Sequence, residues 1–574
     1  MTIFNKLEDE ITAIYDELVA AGTLPGAADL SRIVVELPRE ESHGDLSCNA
    51  AMVLARPLGM APRDLAGLFA GALAGRGGVA RVDIAGPGFL NLWLEPGIWG
   101  AELTAILAAG ADFGRSSLGD GQAVNVEFVS ANPTGPLHAA HARGAIVGDV
   151  LARLLEFAGF AVTREYYIND AGAQVDVLAR SAWLRYREAL GEDIGTIPEG
   201  LYPGDYLKET GRALAERDGD KWQQAAESDW LEPVRAFAIA DQLKGIKADL
   251  QAMNIDMDVW SSERQLVETG QVDRAVKALQ EKGLVEMGIT EPPRGKADPD
   301  WEPREQLLFR STAFGDDVDR PLQKSDGSWT YFASDVAYHM DKLTRTGGLL
   351  IDIWGADHGG YVKRMTAAAK AMSGQEEPLL VRLVQLVSLL DKGKPVKMSK
   401  RAGSFVTLAD VMEAVGADAM RFIMLTRRSD QALEFDYAKV TEKSRDNPVF
   451  YVQYAHARAC SVFRQEDLPE GGEGDTSLLV HPAELRLIRQ LASWPKLVTA
   501  AARLHEPHRI AFYLMELAAL FHALWNAGRD DPALKFVQPD NPDISSARLA
   551  LVTATRQVLA IGLGLMAIEP KEKM

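Results

Sequence analysis

The sequence predicts an α/β protein: a doubly wound parallel, Rossmann-type domain, preceded by an α+β domain and followed by an all-α domain. Three observations carry this. Apolar, β-branched runs alternate with helical periodicity across the middle of the chain, the mark of βαβ units. Before them, residues 82–94 read as strand, Gly-Pro-Gly turn, strand. From Asn447 onward the pattern is helical throughout.

Each unit follows from its residues. Residues 1–108 open on an amphipathic helix with Leu7, Ile11, Ile14 and Leu18 at helical spacing. A strand over residues 32–37 and a helix after Asp45 follow, then the strand pair around Gly86, Pro87 and Gly88. Residues 110–123 carry Gly110, Gly114, Ser116, Ser117, Gly119 and Gly121, which is linker chemistry. The parallel-sheet domain spans residues 115–445. Within it, residues 190–230 and 288–305 are acidic, punctuated by Pro and Gly, and read as insertions. The helical domain spans residues 446–574 and is broken by a linker at residues 466–476.

A length of 574 residues suits roughly three or four domains. Cys48 and Cys460 are the only cysteines and form no Cys-x-x-Cys pattern, so a disulfide framework and a thiolate zinc site are both excluded. No metal site is expected on the protein. No run of eighteen apolar residues and no signal-peptide pattern occur, so the expected location is the cytoplasm, away from membrane, with a monomer as the expected assembly. The net charge of −20 argues against nonspecific coating of nucleic acid but leaves room for local basic faces. Arg486, Arg489, Lys496, Arg503, His505, His508 and Arg509 fall in one helical stretch; a solvated face is the plainer reading for most of them.

Two short clusters carry chemistry. Pro136, Leu137, His138, Ala139, Ala140 and His141 follow the strand-like run 124–129 and a loop with Asn132, Pro133, Thr134 and Gly135. Apolar residues Ile146, Val147, Val150, Leu151, Leu154 and Leu155 then continue at helical spacing to a stop at Gly159, and a second strand falls near residues 160–167. His138 and His141 therefore share one face of a helix's first turn, where free N–H groups and the positive dipole end make an anion site. The second cluster, Lys397, Met398, Ser399, Lys400 and Arg401, follows the apolar run 380–390. Its lysines are flexible point charges suited to tracking a triphosphate, with Gly393 and Gly403 as flanking hinges. Alone, each cluster is weak: a lone His-x-x-His fits metal ligation or a plain helix start, and a Lys-rich loop is usually solvated. Together, in this order, they point to ATP-dependent adenylate formation.

The chain resembles a class I aminoacyl-tRNA synthetase, and more narrowly the bacterial arginyl-tRNA synthetases. The resemblance covers nearly the whole chain through residues 126–136, 167–172 (Tyr167, Ile168, Asn169, Asp170), 354–358 (Trp354 to His358), 395–403 and 447–458, with Gly44, Asp45 and residues 87–89 similar to the family's extra N-terminal domain. It implies a two-step reaction in translation: arginine and ATP, with Mg²⁺, give arginyl-adenylate, and the arginyl group passes to tRNA(Arg). It also implies that tRNA must be bound before the amino acid is activated. The N-terminal domain would contact the tRNA elbow, and the helical domain, through Tyr451, Tyr454 and Arg458, the anticodon.

By the same resemblance, His138, His141, Lys397, Ser399 and Lys400 would be catalytic, and Pro136, Ala140, Gln385 and Met398 would meet ATP. Glu127, Ser130, Asn132, Tyr331, Asp335, Asp357 and His358 would hold arginine. A guanidinium makes its own demand for carboxylates placed to meet a rigid five-donor fork, and Glu127 and Asp335 sit where the family places such acids. One departure stands out: the family's small Gly between the two histidines is Ala140 here. It leaves open a nonenzymatic tRNA-binding relative that kept the fold; the presence of both histidines and both lysines argues against it.

Overall fold

The computed structural model describes residues 2–289, 305–324, 326–396, 406–442, 444, 446–465 and 474–574. The predicted residues Lys397, Met398, Ser399 and Lys400, the hinge Gly403, most of the 288–305 insertion and residues 466–473 of the linker lie outside the described residues.

Helix α1 (Ile3–Ala20) buries Phe4, Leu7, Ile11 and Ile14. It packs on an antiparallel sheet of order β1-β2-β4-β3, built from β1 (Val35–Glu36), β2 (Leu46–Cys48), β3 (Val79–Ala85) and β4 (Phe89–Leu94). Helices α2 (Ala50–Leu58) and α3 (Pro62–Leu73) cross over between β2 and β3, and α4 (Ile98–Ala109) follows β4. The strand expected over residues 32–37 shrinks to two residues. The Asn49 side chain takes the Val34 N–H at 2.8 Å and donates to the Arg32 carbonyl at 3.2 Å, doing there what a strand ladder would do.

The middle of the chain holds β5 (Ala123–Glu127), α5 (Ala139–Phe157) and β6 (Ala161–Ile168), the βαβ unit read from the sequence. Gly148 lets α5 lie against the end of β5, since a Cβ there would stand 2.3 Å from the Phe128 ring. Beyond α6 (Ala173–Ala189), the 190–230 insertion contains a helix, α7 (Tyr206–Asp218), clamped between α6 and α8 (Glu227–Ala252). The three bury Val175, Tyr186, Leu214 and Trp230 in a separate small core. Then come β7 (Val259–Ser262), α9 (Glu263–Glu268), α10 (Gln271–Glu281) and an antiparallel trio, β8 (Val285–Ile289), β9 (Glu305–Phe309) and β10 (Arg320–Pro321). Helix α11 (Tyr331–Thr346), β11 (Leu349–Gly355), α12 (Val362–Ser373) and β12 (Leu379–Val384) complete a parallel sheet of order β12-β11-β5-β6-β7.

The apolar run 380–390 is not one strand. It breaks at Gln385 and Leu386, and β13 (Val387–Asp391) joins β14 (Lys394–Pro395) and, after α13 (Leu408–Val415) and α14 (Ala417–Met424), β15 (Leu433–Asp436) in a second sheet. A short α15 (Tyr437–Thr441) leads to the last helices: α16 (Pro448–Gln465), α17 (Pro482–Ala492), α18 (Trp494–Leu504), α19 (His508–Asp530) and α20 (Pro542–Leu565). By length and composition alone α19 and α20 could cross a bilayer, but half and two-thirds of their apolar windows are buried within the bundle, where they pack on each other and on α16. They are core helices.

The predicted basic stretch of α17 and α18 has a different use from a solvated face at two positions. Arg489 pairs with Asp45, and its guanidinium lies 5.6 Å from the Trp99 ring. Lys496 donates to Glu8 and to the Val35 carbonyl, each at 2.5 Å. Both cations fasten the first unit to the last.

Candidate active site

The site forms beyond the carboxyl ends of the parallel strands, where ligands bind in such sheets. Strand β5 stops at Glu127, and Val129 and Ser130 then take positive φ of 70° and 40°. A β-branched residue there is strained, and such strain gathers at functional sites. Three contacts hold it. The Ser130 hydroxyl donates to Glu127 at 2.9 Å and accepts the Tyr167 N–H at 3.1 Å, while the Tyr166 hydroxyl donates to the Ala131 carbonyl at 2.8 Å.

His138 is the N-cap of α5 and His141 its third residue. Their rings stack with centroids 3.8 Å apart, and His141 Nδ1 accepts the His138 N–H at 3.3 Å. That contact leaves Nε2 as the protonated nitrogen of a neutral His141 ring. The chain returning after residue 405 pairs directly with this turn: Ala139 N–H reaches the Val406 carbonyl at 3.2 Å, and Leu408 N–H the Leu137 carbonyl at 2.7 Å. Before the returning chain, the Val396 N–H meets the Leu389 carbonyl at 2.9 Å.

Around this turn opens a cleft of about 1260 Å³. Of the residues predicted from sequence, Ser130, Asn132, Pro136, His138, Ala140, His141, Asp357, His358 and Gln385 line it together. Residues 197–204 of the insertion and Tyr206 close one side; the Tyr206 hydroxyl donates to the Thr134 carbonyl at 2.8 Å. Nothing in the sequence of that turn-rich stretch signalled a role in the site.

Glu127, Tyr331 and Asp335 do not line the cleft; they stand beside it on β5 and α11. Tyr331, in the first turn of α11, is 67% exposed. Asp335, one turn on, accepts the Tyr361 hydroxyl at 2.5 Å, and burial lifts its carboxyl to about 6. Glu127 is already engaged: one oxygen takes the Ser130 hydroxyl and the other the Lys342 ammonium at 2.6 Å. Lys342, with no exposed surface, also reaches Asp352 at 2.7 Å, and His339 bridges Asp352 and the Asp335 carbonyl at 2.8 Å each. A residue the sequence reading missed, Glu263 at the start of α9, belongs to this acidic group. Burial, then Asp335 and Asp170, push it up to about 7. Its placement depends on β7 pairing with β6, a long-range event that local periodicity does not record.

Tyr451, Tyr454 and Arg458 lie along α16, far from the cleft in sequence. The Arg458 guanidinium stacks 4.5 Å from the Tyr454 ring and 4.9 Å from Trp525, and bonds His522 Nδ1 at 2.8 Å. Phe450 stacks on Tyr454, which is 37% exposed. The result is a surface with aromatic faces and a cation.

The family model of the tRNA synthetases class I (R) catalytic domain matches residues 102–443. The chain belongs to the arginyl-tRNA synthetases. The arginyl tRNA synthetase N terminal domain matches residues 5–94, and the DALR anticodon binding domain residues 452–574. The arginine–tRNA ligases of Roseobacter denitrificans and Xanthobacter autotrophicus are 53% and 56% identical to it, each pair aligned over the whole of both chains. The Thermus thermophilus arginyl-tRNA synthetase structure, 22% identical, superposes with a TM-score of 0.75 over 99% of both chains and shares the fold.

Proposed function

We propose that this chain is the arginine–tRNA ligase of its cell, joining L-arginine to tRNA(Arg) through arginyl-adenylate. The observation that carries the reading is the pairing of an anion-seeking helix turn with a buried, under-compensated acidic group beside one cleft. ATP occupies the cleft against Pro136, Ala140 and Gln385, its phosphates toward the N-terminus of α5, with Mg²⁺ arriving as part of the substrate. An arginine carboxylate oxygen attacks the α-phosphorus and pyrophosphate leaves. A ribose hydroxyl of the tRNA terminus then attacks the acyl carbon and AMP leaves. His138 and His141 donate to phosphate oxygens as charge shifts toward the leaving group, and Lys397 and Lys400 follow the β- and γ-phosphates, with Ser399 and Met398 in the same segment.

Ser130 and Asn132 hold the backbone end of arginine, near Asp357 and His358, while Tyr331 walls its side chain. Among Glu127, Asp335 and Glu263, Lys342 already offsets Glu127, so the charge for the guanidinium comes first from Asp335. Residues 1–108 take the tRNA elbow, residues 115–445 carry the chemistry, and residues 446–574 read the anticodon, where Tyr451, Tyr454 and Arg458 offer stacking faces. The enzyme works as a cytoplasmic monomer, with no membrane attachment and no zinc of its own.

The test is Asp335→Asn in tRNA charging. Losing a buried charged partner costs roughly 2–5 kcal/mol, so the KM for arginine should rise at least tenfold while that for ATP stays within twofold. An unchanged arginine KM would place the guanidinium elsewhere.

A further inference from the structure

We propose that Arg143 is a positioning residue for nucleotide binding: its guanidinium fixes the cleft-rim turn at Gln385 and Leu386 against the helix that carries the histidines. Arg143 lies on α5 two residues after His141 and has no exposed surface. Its Nη1 donates to the carbonyls of Gln385 at 3.2 Å and Gln431 at 2.5 Å, and its Nη2 to those of Arg428 at 2.8 Å and Arg427 at 3.5 Å. Among the described residues no carboxylate is hydrogen-bonded to it, and Asp430 acts on it only through its charge. A buried cation held by neutral carbonyls from two separate turns is a costly arrangement to maintain, and the turns it joins explain what it achieves.

The first turn is the break in the apolar run 380–390, where the chain leaves the five-stranded sheet for the second one. Gln385 and Leu386 line the cleft there, as Ala140 does. The second turn, residues 427–431, leads into β15, the parallel partner of β13. The two turns are tied to each other by Gln385 N–H on the Ser429 carbonyl at 2.8 Å. One side chain therefore ties the histidine helix to both turns, and so to the part of the rim that Gln385 and Leu386 form. It also holds the start of β13, the strand against which β14 folds back and beside which the Val396 N–H meets the Leu389 carbonyl at 2.9 Å. Lysine cannot replace it, because three donors on one point cannot span carbonyls in two turns, whereas the planar fork can. The proposal rests on the reading of this rim as a nucleotide contact.

The experiment compares Arg143→Lys, Arg143→Met and, as a control on that reading, Gln385→Ala, in tRNA charging and in ATP binding by equilibrium dialysis, with melting followed by circular dichroism. Arg143→Lys should raise the KM and the Kd for ATP tenfold or more and leave the KM for arginine within twofold, with Arg143→Met more severe. Equal changes in both KM values, or an unchanged ATP constant, would overturn the proposal. So would failure of both Arg143 variants to yield folded enzyme, which would make Arg143 a requirement of the fold. If Gln385→Ala alone leaves the ATP constants unchanged, the assignment of the Gln385 side chain to ATP fails while the role of Arg143 stands.

Discussion

Burial lifts Asp335 to about 6, and burial, then the Asp335 and Asp170 charges, lift Glu263 to about 7. A bound guanidinium would reverse that, since an opposite charge favours the ionised form. Arginine binding must then expel protons at low pH, and its Kd should rise about tenfold per pH unit below 6 for each carboxyl involved; isothermal titration between pH 5 and 8 checks this, and a flat profile would contradict it. The stability of the ligand-free enzyme should run the other way. Carboxyls raised in the folded state bind protons there more tightly than in the unfolded chain, so their contribution is full below their ordinary range near pH 4 and is lost as pH rises through 6 to 7. Ala140 belongs to the same scale. It lines the cleft at the position where the resemblance implies Gly, and overpacking of this kind costs roughly 1–3 kcal/mol. Ala140→Gly should lower the KM for ATP and leave that for arginine nearly unchanged; an unchanged ATP constant would mean the pocket has already adapted to the methyl.

At the level of elements, the buried pairs of Lys342 with Glu127 and Asp352 bind α11 to β5 and β11 in the middle of the sheet. Lys342→Met would leave two buried carboxylates without their cation, at a cost of about 3–5 kcal/mol. Urea denaturation should register that loss, and an unshifted midpoint would contradict it. Strong periodicity made β5, α5 and β6 readable in the sequence, and loop chemistry placed the turn between them. What could not be read depended on contacts from far along the chain. Asn49 shortens β1, Arg143 meets the turn that divides the run 380–390, and Lys342 engages a carboxylate the guanidinium argument had set aside for substrate. Glu263 reads as an ordinary helix-start acid until β7 pairs with β6. The histidine pair was legible because its geometry is local, three residues apart on one turn.

Across the whole molecule, buried charge links the units around the histidine helix. Arg421 donates to the Met253 carbonyl at 2.7 Å and the Met566 carbonyl at 2.5 Å and pairs with Asp149 of α5, so the C-terminal end of the chain touches the helix that opens at the site. Asp45 with Arg489 and Glu8 with Lys496 close the first unit onto the last. If tRNA must be bound before the amino acid is activated, as the resemblance implies, exchange of pyrophosphate into ATP with arginine should be near background until tRNA is added; robust exchange in nuclease-treated enzyme would contradict this. The most direct measurement is charging of unfractionated bacterial tRNA with each of the twenty labelled amino acids in turn. Arginine alone should become acid-precipitable, whereas another amino acid in its place, or none, would contradict the account.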